Sequence, residues 1–110
     1  MKHSLYDIGG EVVKDNETYV LKDNKTLKNL VLSSTELKPN QSTRGHKHPG
    51  QEEVYYFVSG MGEMELDDKR FTVQGGDVVL IEDGVFHRVH NLSQASTLYF
   101  VCVFDGKRNH

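Results

Sequence analysis

The sequence predicts an all-β fold, a sandwich or barrel built from many short strands. Short runs rich in Val, Tyr, Phe and Thr recur along the chain, and these residue types favour strands. Turn signals separate the runs, and no segment shows a sustained helical period. Many short strands joined by small turns are typical of sandwiches and barrels. The length of 110 residues suits a single compact domain over 1–110.

The expected strands are separated by residues that adopt tight-turn backbone conformations. In chain order, the strands are expected at 18–21, 28–37, 53–58, 63–66, 70–73, 77–81, 86–91 and 97–104. The turn signals include PN at 39, PG at 49, SGMG at 59, GG at 75 and DG at 83. Gly, Asn and Asp tolerate the backbone angles of turns, and Pro cannot continue a central strand. These positions therefore set the ends of most strands.

Two of the expected strands are apolar on both faces. EVYYFV at 53–58 and TLYFVCVF at 97–104 place bulky apolar residues at nearly every position. A strand with one face in water would alternate apolar and polar side chains, so the outer side of these two strands must be covered. Either the N-terminal segment or a second subunit could cover it. We expect a homodimer in which both contribute.

Composition and charge exclude two classes of partner. The chain has 13 Lys and Arg against 16 Asp and Glu, a net charge of −3, and the cations are dispersed, so a nucleic-acid partner is not expected. No apolar stretch reaches membrane-spanning length and no signal-peptide core is present, so no membrane partner is expected either. Cys102 is the single cysteine, which excludes an internal disulfide and indicates a buried, inert thiol in a reducing compartment. We expect a cytoplasmic protein that binds a small-molecule substrate.

Several histidines and an acid stand at unusual places in the strand pattern. If the strand period holds from residue 44, Arg44, His46 and His48 point to the same face. Glu53 heads an apolar strand face, and a carboxylate there is costly without a partner. His87 is set among apolar residues of the 86–91 strand. Taken singly, each has an ordinary explanation as a hydrogen-bonded core residue or a solvated surface residue.

Taken together, these residues resemble the two motifs of the cupin superfamily. NQSTRGHKHPGQEEVYYFVSG at 40–60 is similar to the first motif, Gly, five residues, His-x-His, three or four residues, Glu, six residues, Gly. Asn40 stands where the family has Gly, and Asn is the next most tolerant residue of a left-handed turn. GDVVLIEDGVFHRVHN at 76–91 is similar to the second motif, with Glu82 in the position of a proline. The two motifs cover about half of the chain.

The resemblance implies a small double-stranded β-helix, or jelly-roll barrel, with one metal ion inside. Carried over by position, His46, His48, Glu53 and His87 are its ligands. Buried without partners, four such polar groups would each cost about 1–3 kcal/mol, and a bound cation removes that cost. Three imidazoles and a carboxylate suit divalent Mn, Fe, Ni, Cu or Zn, and an octahedral ion would keep two positions open. The alternative is a degenerate cupin that keeps these residues for structure alone.

Three further residues are candidates for roles around this site. His90 faces opposite to His87 in a regular strand, so we expect an outer or rim residue rather than a fifth ligand. Arg44 shares the face of His46, and its guanidinium could pair with a substrate carboxylate or phosphate, although an arginine at a strand start is usually only solvated. Tyr55 could donate a proton beside the metal, or it could only pack.

The predicted site is compatible with more than one function, because one fold hosts many chemistries. The first hypothesis is a metal-dependent isomerase, epimerase or lyase acting on a sugar, sugar phosphate or keto acid, as in the cupins that resemble mannose-6-phosphate isomerase. The second is an Fe- or Mn-dependent dioxygenase that uses the open positions for substrate and O₂. The third is a non-catalytic module that binds or senses a small molecule such as a carbohydrate. Metal content and oxygen uptake distinguish the first two, and binding without turnover identifies the third.

Overall fold

A computed structural model describes residues 1–47 and 49–106. Within these residues the chain forms nine strands and no helix, so the all-β prediction is confirmed. The strands are β1 Glu11–Asp15, β2 Tyr19–Asn24, β3 Leu30–Leu37, β4 Glu53–Ser59, β5 Met61–Leu66, β6 Lys69–Gln74, β7 Val78–Ile81, β8 His87–His90 and β9 Leu98–Asp105. The eight strands expected from the sequence correspond to β2 through β9. β1 was missed because its residues EVVKD are all exposed and show no apolar alternation.

The strands form two antiparallel sheets. The larger sheet has the order β1-β2-β3-β9-β4-β7, and the smaller has the order β6-β5-β8. Residues 41–46 run beside β8 and extend the smaller sheet, through isolated bridges between Ser42 and His90 and between His46 and His87. The chain enters this segment through Asn40, whose φ of 61° is left-handed. Asn40 thus occupies the backbone conformation for which Gly is otherwise preferred.

The core lies between the inner faces of the two sheets. Phe57 of β4 and Phe100 of β9 are almost fully buried, with ring centroids 5.2 Å apart. Met64 and Val89 face them from the smaller sheet and are equally buried. Each buried side chain of this size contributes roughly 1.5–3 kcal/mol. This core holds the two sheets together and leaves one end of the space between them for a polar site.

The N-terminal segment covers part of the outer face of the larger sheet. Ile8 is buried in a cluster with Tyr99 and Val101 of β9. The ring of Tyr6 stacks on that of Tyr99, and the Tyr99 hydroxyl donates a 2.6 Å hydrogen bond to the carbonyl of Leu5. One of the two expected covers is therefore present.

Another part of that outer face is exposed and apolar, and we call it the uncovered face. It consists of residues on β4, β7 and β9, namely Val54, Tyr56, Val78, Leu80 and Val103. The strand register places Val54 between Leu80 and Val103, so these side chains form one continuous patch.

No helix in the described part of the chain has the length and hydropathy needed to cross a membrane.

Candidate metal centre

Three segments that are distant in sequence bring His46, Glu53 and His87 together. His46 follows Gly45, Glu53 is the first residue of β4, and His87 is the first residue of β8. One potential ligand atom from each of the three lies within 4.8 Å of the others. Glu53 and His87 are buried, whereas His46 is exposed at the cavity mouth. His48, the remaining predicted ligand, lies outside the described residues.

Backbone pairing fixes His46 against His87. The His46 amide donates to the His87 carbonyl at 3.1 Å, and the His87 amide donates to the His46 carbonyl at 2.9 Å. The imidazole centroids are 4.4 Å apart and nearly perpendicular. Gly45 permits this approach, since its φ is +81° and an added Cβ would lie 2.6 Å from Cζ of Phe86. The residue before the first ligand is therefore constrained both by its backbone angle and by its neighbour.

Hydrogen bonding fixes the tautomer of His87. Its Nδ1 lies 3.1 Å from the carbonyl of Val85, which can only accept, so Nδ1 carries the proton and donates. In the neutral imidazole, Nε2 then carries the lone pair, and it lies 3.5 Å from Oε1 of Glu53. In many proteins, a hydrogen bond from the ring nitrogen that does not bind the metal orients the metal-binding imidazole in this way. Burial lowers the pKa of His87, but the Glu53 carboxylate and the Val85 carbonyl outweigh burial and raise it above 6.5.

The donor set fits a divalent transition metal. Two imidazoles and one carboxylate, all within reach of one point, are the borderline ligands that Mn, Fe, Ni, Cu and Zn accept. The orientation of His87 directs Nε2 toward Glu53, as metal ligation requires. These three residues therefore form a candidate site for one such ion.

A cavity of about 370 Å³ opens beside the three residues. His46 and Glu53 line it at one end, and Arg44 lies exposed at the mouth. Tyr55 forms part of the wall, with its ring centroid 5.6 Å from that of His87. Burial, followed by the neighbouring Cys102 and then the charge of Glu53, raises the pKa of Tyr55 well above 10. Its phenol therefore stays protonated at neutral pH.

His90 lies on the opposite face of β8 from His87, as the strand period predicts. It is nevertheless buried, between Glu65 of β5 and Ser42. Nε2 of His90 donates to Oε1 of Glu65 at 2.5 Å, which leaves Nδ1 to accept from the Ser42 hydroxyl at 2.6 Å. This chain, which we call the Ser42–His90–Glu65 latch, ties the segment that carries His46 to the smaller sheet. The sequence predicted the orientation of His90 but not this partnership.

Sequence reasoning missed several polar residues of the cavity, among them an acid. Asp23 of β2 lines the cavity wall three strands away from Glu53 of β4, together with Ser33 and Thr35 of β3. The expected strand at 18–21 ended too early to include it. Extending the alternation of Tyr19 and Leu21 by one step places Asp23 on the same inner face. The extended pattern is the signal that could have found it.

Comparison with known proteins gives relatives for both the sequence and the fold. The family described as Cupin domain (Cupin_2) matches residues 33–104. An uncharacterized protein of Methanocaldococcus jannaschii is 27% identical over 97 residues, 78% of this chain and 78% of that protein. An oxalate-binding protein of Thermotoga maritima is 34% identical over 55 residues, 50% of this chain and 46% of that protein. A Klebsiella pneumoniae protein with a double-stranded β-helix domain superposes with a TM-score of 0.81 at 18% identity, over 99% of this chain and 92% of that one. The expected double-stranded β-helix is confirmed.

Proposed function

Since the chain belongs to the cupin domain family (Cupin_2), we propose that it is a metal-dependent enzyme, an isomerase, epimerase or lyase, acting on a small oxygen-rich substrate. The observation that supports this most strongly is the convergence of His46, Glu53 and His87 at the end of a cavity of about 370 Å³. A cavity of this size accepts a small molecule, and His46 and Glu53, which line it, would place the ion within reach of that molecule. A sugar, sugar phosphate or keto acid fits this description.

The cofactor in this proposal is one divalent Mn, Fe, Ni, Cu or Zn ion held by His46, Glu53 and His87, with His48 as a fourth ligand from the motif. When bound, such an ion supplies Lewis-acid polarisation of a carbonyl or hydroxyl oxygen. Two neutral imidazoles and one carboxylate leave a net positive site, which favours substrates with an anionic or electron-rich oxygen. The relative from Thermotoga maritima, named as an oxalate-binding protein, supports a chelating carboxylate as one such group.

The chain's own residues supply orientation and proton transfer in this proposal. Tyr55 keeps its phenolic proton beside the ligand set, because its pKa is raised well above 10, and it can donate that proton to a strongly basic substrate oxygen such as a developing alkoxide. Arg44, at the mouth, can pair with a carboxylate or phosphate of the entering substrate. Glu53 remains a ligand and is not the proton carrier.

Metal analysis of purified variants tests the site. His46→Ala and His87→Ala are each expected to lose most of the bound metal, because each removes one ligand nitrogen. Glu53→Gln is expected to do the same, whereas Glu52→Gln makes the same chemical change at an exposed neighbouring position and should keep the metal. Wild-type metal content in the His87→Ala protein would refute the site.

Substrate assays distinguish the proposed chemistry from its competitors. Conversion of sugar phosphates or keto acids without oxygen uptake, by protein loaded with a redox-inert ion such as zinc, supports an isomerase or lyase. Oxygen consumption that requires iron or manganese would identify a dioxygenase instead. Saturable binding without turnover across the substrate panel would identify a binding or sensor module.

We also propose that a second copy of the chain packs on the uncovered face, giving a homodimer. The five side chains of this face carry no charge, and an apolar patch facing its own copy about a two-fold axis is self-complementary. Leu80, which is 70% exposed there, supports the proposal, since large exposed apolar patches mark interfaces. Leu80→Lys should convert a dimer to a monomer in analytical ultracentrifugation, and Leu92→Lys, at another exposed leucine, should not. A wild-type monomer would refute it.

We propose a cytoplasmic setting as well. It is supported by the thiol of Cys102, which is buried and unpaired with another cysteine in the described residues, as expected in a reducing compartment. Fractionation of the native cells would test it.

A further inference from the structure

A row of polar side chains crosses the inner face of the larger sheet. The strand register places Asp23 of β2 opposite Ser33 of β3, Ser33 opposite Cys102 of β9, and Cys102 opposite Tyr55 of β4. In the next row toward the core, the corresponding residues are Leu21, Thr35, Phe100 and Phe57. The polar row therefore runs along the cavity floor from the neighbourhood of His87 to the far wall.

Asp23 is the residue of this row that the proposed chemistry does not use. It is partly buried and it faces the cavity, and its side-chain carboxylate makes no hydrogen bond or ion pair with residues 1–47 and 49–106. Burial raises the pKa of the Cys102 thiol, and the charges of Glu53 and then Asp23 raise it further, so the Asp23 carboxylate acts on a group that lines the cavity. An unpaired carboxylate beside Leu21 and Phe104 is costly, and a ligand that donates hydrogen bonds would offset this cost.

The cavity consequently has two ends of opposite character. With the proposed divalent ion bound to His46, Glu53 and His87, this group and Arg44 would form a cationic end, which attracts carboxylates and other anionic oxygens. Asp23 forms an anionic end, which attracts hydrogen-bond donors and repels a second carboxylate. Between β4 and β2 lie three strand spacings, roughly 14 Å along the curved sheet, and the side chains at both ends shorten this gap. A ligand that contacts both ends must be a chain of several carbons.

From these two ends, and resting on the proposed function, we infer that Asp23 is a substrate-binding residue that selects acids carrying hydroxyl groups on the chain remote from the metal. The acid end would lie at the metal and Arg44, and the distal hydroxyls would donate to the Asp23 carboxylate. A dicarboxylate of the same length would be disfavoured by repulsion from Asp23. The substrate class is thus a polyhydroxylated monocarboxylic acid.

Calorimetric titration of the zinc-loaded protein tests this with three six-carbon probes. D-gluconate and 2-hydroxyhexanoate share the same chelating α-hydroxy acid, but only gluconate has distal hydroxyls, and 2-hydroxyadipate has a distal carboxylate. Because hydrogen bonds to a charged group are strong, gluconate should bind roughly 10- to 100-fold more tightly than 2-hydroxyhexanoate. 2-Hydroxyadipate should bind more weakly than 2-hydroxyhexanoate.

Variants at Asp23 separate its role from general effects of the cavity. Asp23→Asn keeps the size of the side chain and should weaken the preference for gluconate and relieve the penalty on 2-hydroxyadipate. Asp23→Leu should abolish both, with zinc content unchanged. Asp15→Asn, the same chemical change at an exposed position of β1, should behave as wild type. A melting temperature for each protein identifies any variant that fails to fold. If Asp23→Leu does not fold, the binding measurements on Asp23→Asn alone decide the test.

The outcomes separate this inference from the proposed function. If the wild-type protein retains no zinc, the proposed function is refuted. If it retains zinc but binds gluconate and 2-hydroxyhexanoate equally, or binds none of the probes, the inference about Asp23 is overturned and the metal centre is not. A gluconate preference that persists undiminished in Asp23→Asn also overturns it.

Discussion

Replacing Gly45 with alanine should weaken metal binding although no ligand is changed. Gly45 has a φ of +81°, and its added Cβ would lie 2.6 Å from Cζ of Phe86 and 3.3 Å from Cβ of Arg88. The first distance is shorter than any normal contact between carbon atoms. Either Phe86 or the backbone of residues 44–46 must therefore move.

The magnitude follows from two separate costs. An alanine in the left-handed region costs about 1–2 kcal/mol, and forcing a methyl group into a filled space costs about 1–3 kcal/mol more. Gly76→Ala provides the matched control, because Gly76 has a φ of +99° and a Cβ there meets no atom within 4 Å. The control variant therefore carries only the backbone strain of the left-handed region. We expect Gly45→Ala to lower the free energy of unfolding by about 2–5 kcal/mol and Gly76→Ala by about 1–2 kcal/mol.

The effect on the metal comes through His46. Its amide and carbonyl both pair with His87 next to Gly45, so a shift at residue 45 separates the two imidazoles. Disturbing the supports of metal ligands commonly lowers affinity about 10- to 100-fold, and we expect that range for Gly45→Ala. The assays are urea denaturation of the metal-free proteins and competition of the loaded proteins against a chelating dye.

Two results would refute this reasoning. Wild-type metal affinity in Gly45→Ala would show that the close approach of Gly45 to Phe86 does not position His46. An equal loss of affinity in Gly76→Ala would show that general destabilisation, and not local geometry, controls metal retention.

Three further predictions follow from the hydrogen-bond networks. Because the pKa of His87 is raised above 6.5, metal binding at pH 6.5 must displace a proton from it, and metal affinity should fall as the pH drops through that raised pKa. Calorimetry in two buffers with different ionisation enthalpies should detect the released proton. Metal binding without proton release would contradict the prediction. His90 lowers the pKa of Glu65 below its ordinary 4.5, so Glu65 stabilises the fold above pH 4.5 and this stabilisation is lost as the pH falls through its folded pKa. Glu65→Gln should therefore be less stable than wild type in urea at pH 7, and the difference should shrink at low pH, whereas a difference independent of pH would argue against the pairing. Asn91→Ala should lower the free energy of unfolding by about 2–4 kcal/mol, because its buried Nδ2 contacts three backbone carbonyls at 2.8–3.2 Å, and metal affinity at neutral pH should stay at the wild-type level.

The strands could be predicted from the sequence because their signal is local. Alternating apolar residues and the turn residues between them locate β2 through β9, and the left-handed Asn40 was expected from its motif position. β1 could not be predicted, since EVVKD lies on the exposed edge of the sheet and buries no face. Edge strands depend on pairing with a neighbour more than on their own pattern.

The candidate ligands were likewise visible as residue types at motif spacing. His46, Glu53 and His87 were selected in this way, and the structure places their potential ligand atoms within 4.8 Å of one another. The tautomer of His87 and the burial of His90 were not visible, because each depends on a partner from another strand.

By itself, then, the sequence determined eight of the nine strands of the described residues and which side chains have the chemistry of metal ligands. Only the tertiary structure decided that Asp23 stands in register with Ser33, Cys102 and Tyr55 across four strands, and that the latch ties Ser42 to Glu65 through His90. The physical reason is that the backbone of one strand sets the direction of its own side chains. The register between strands distant in sequence is instead set by the packing of the whole core, to which every strand contributes.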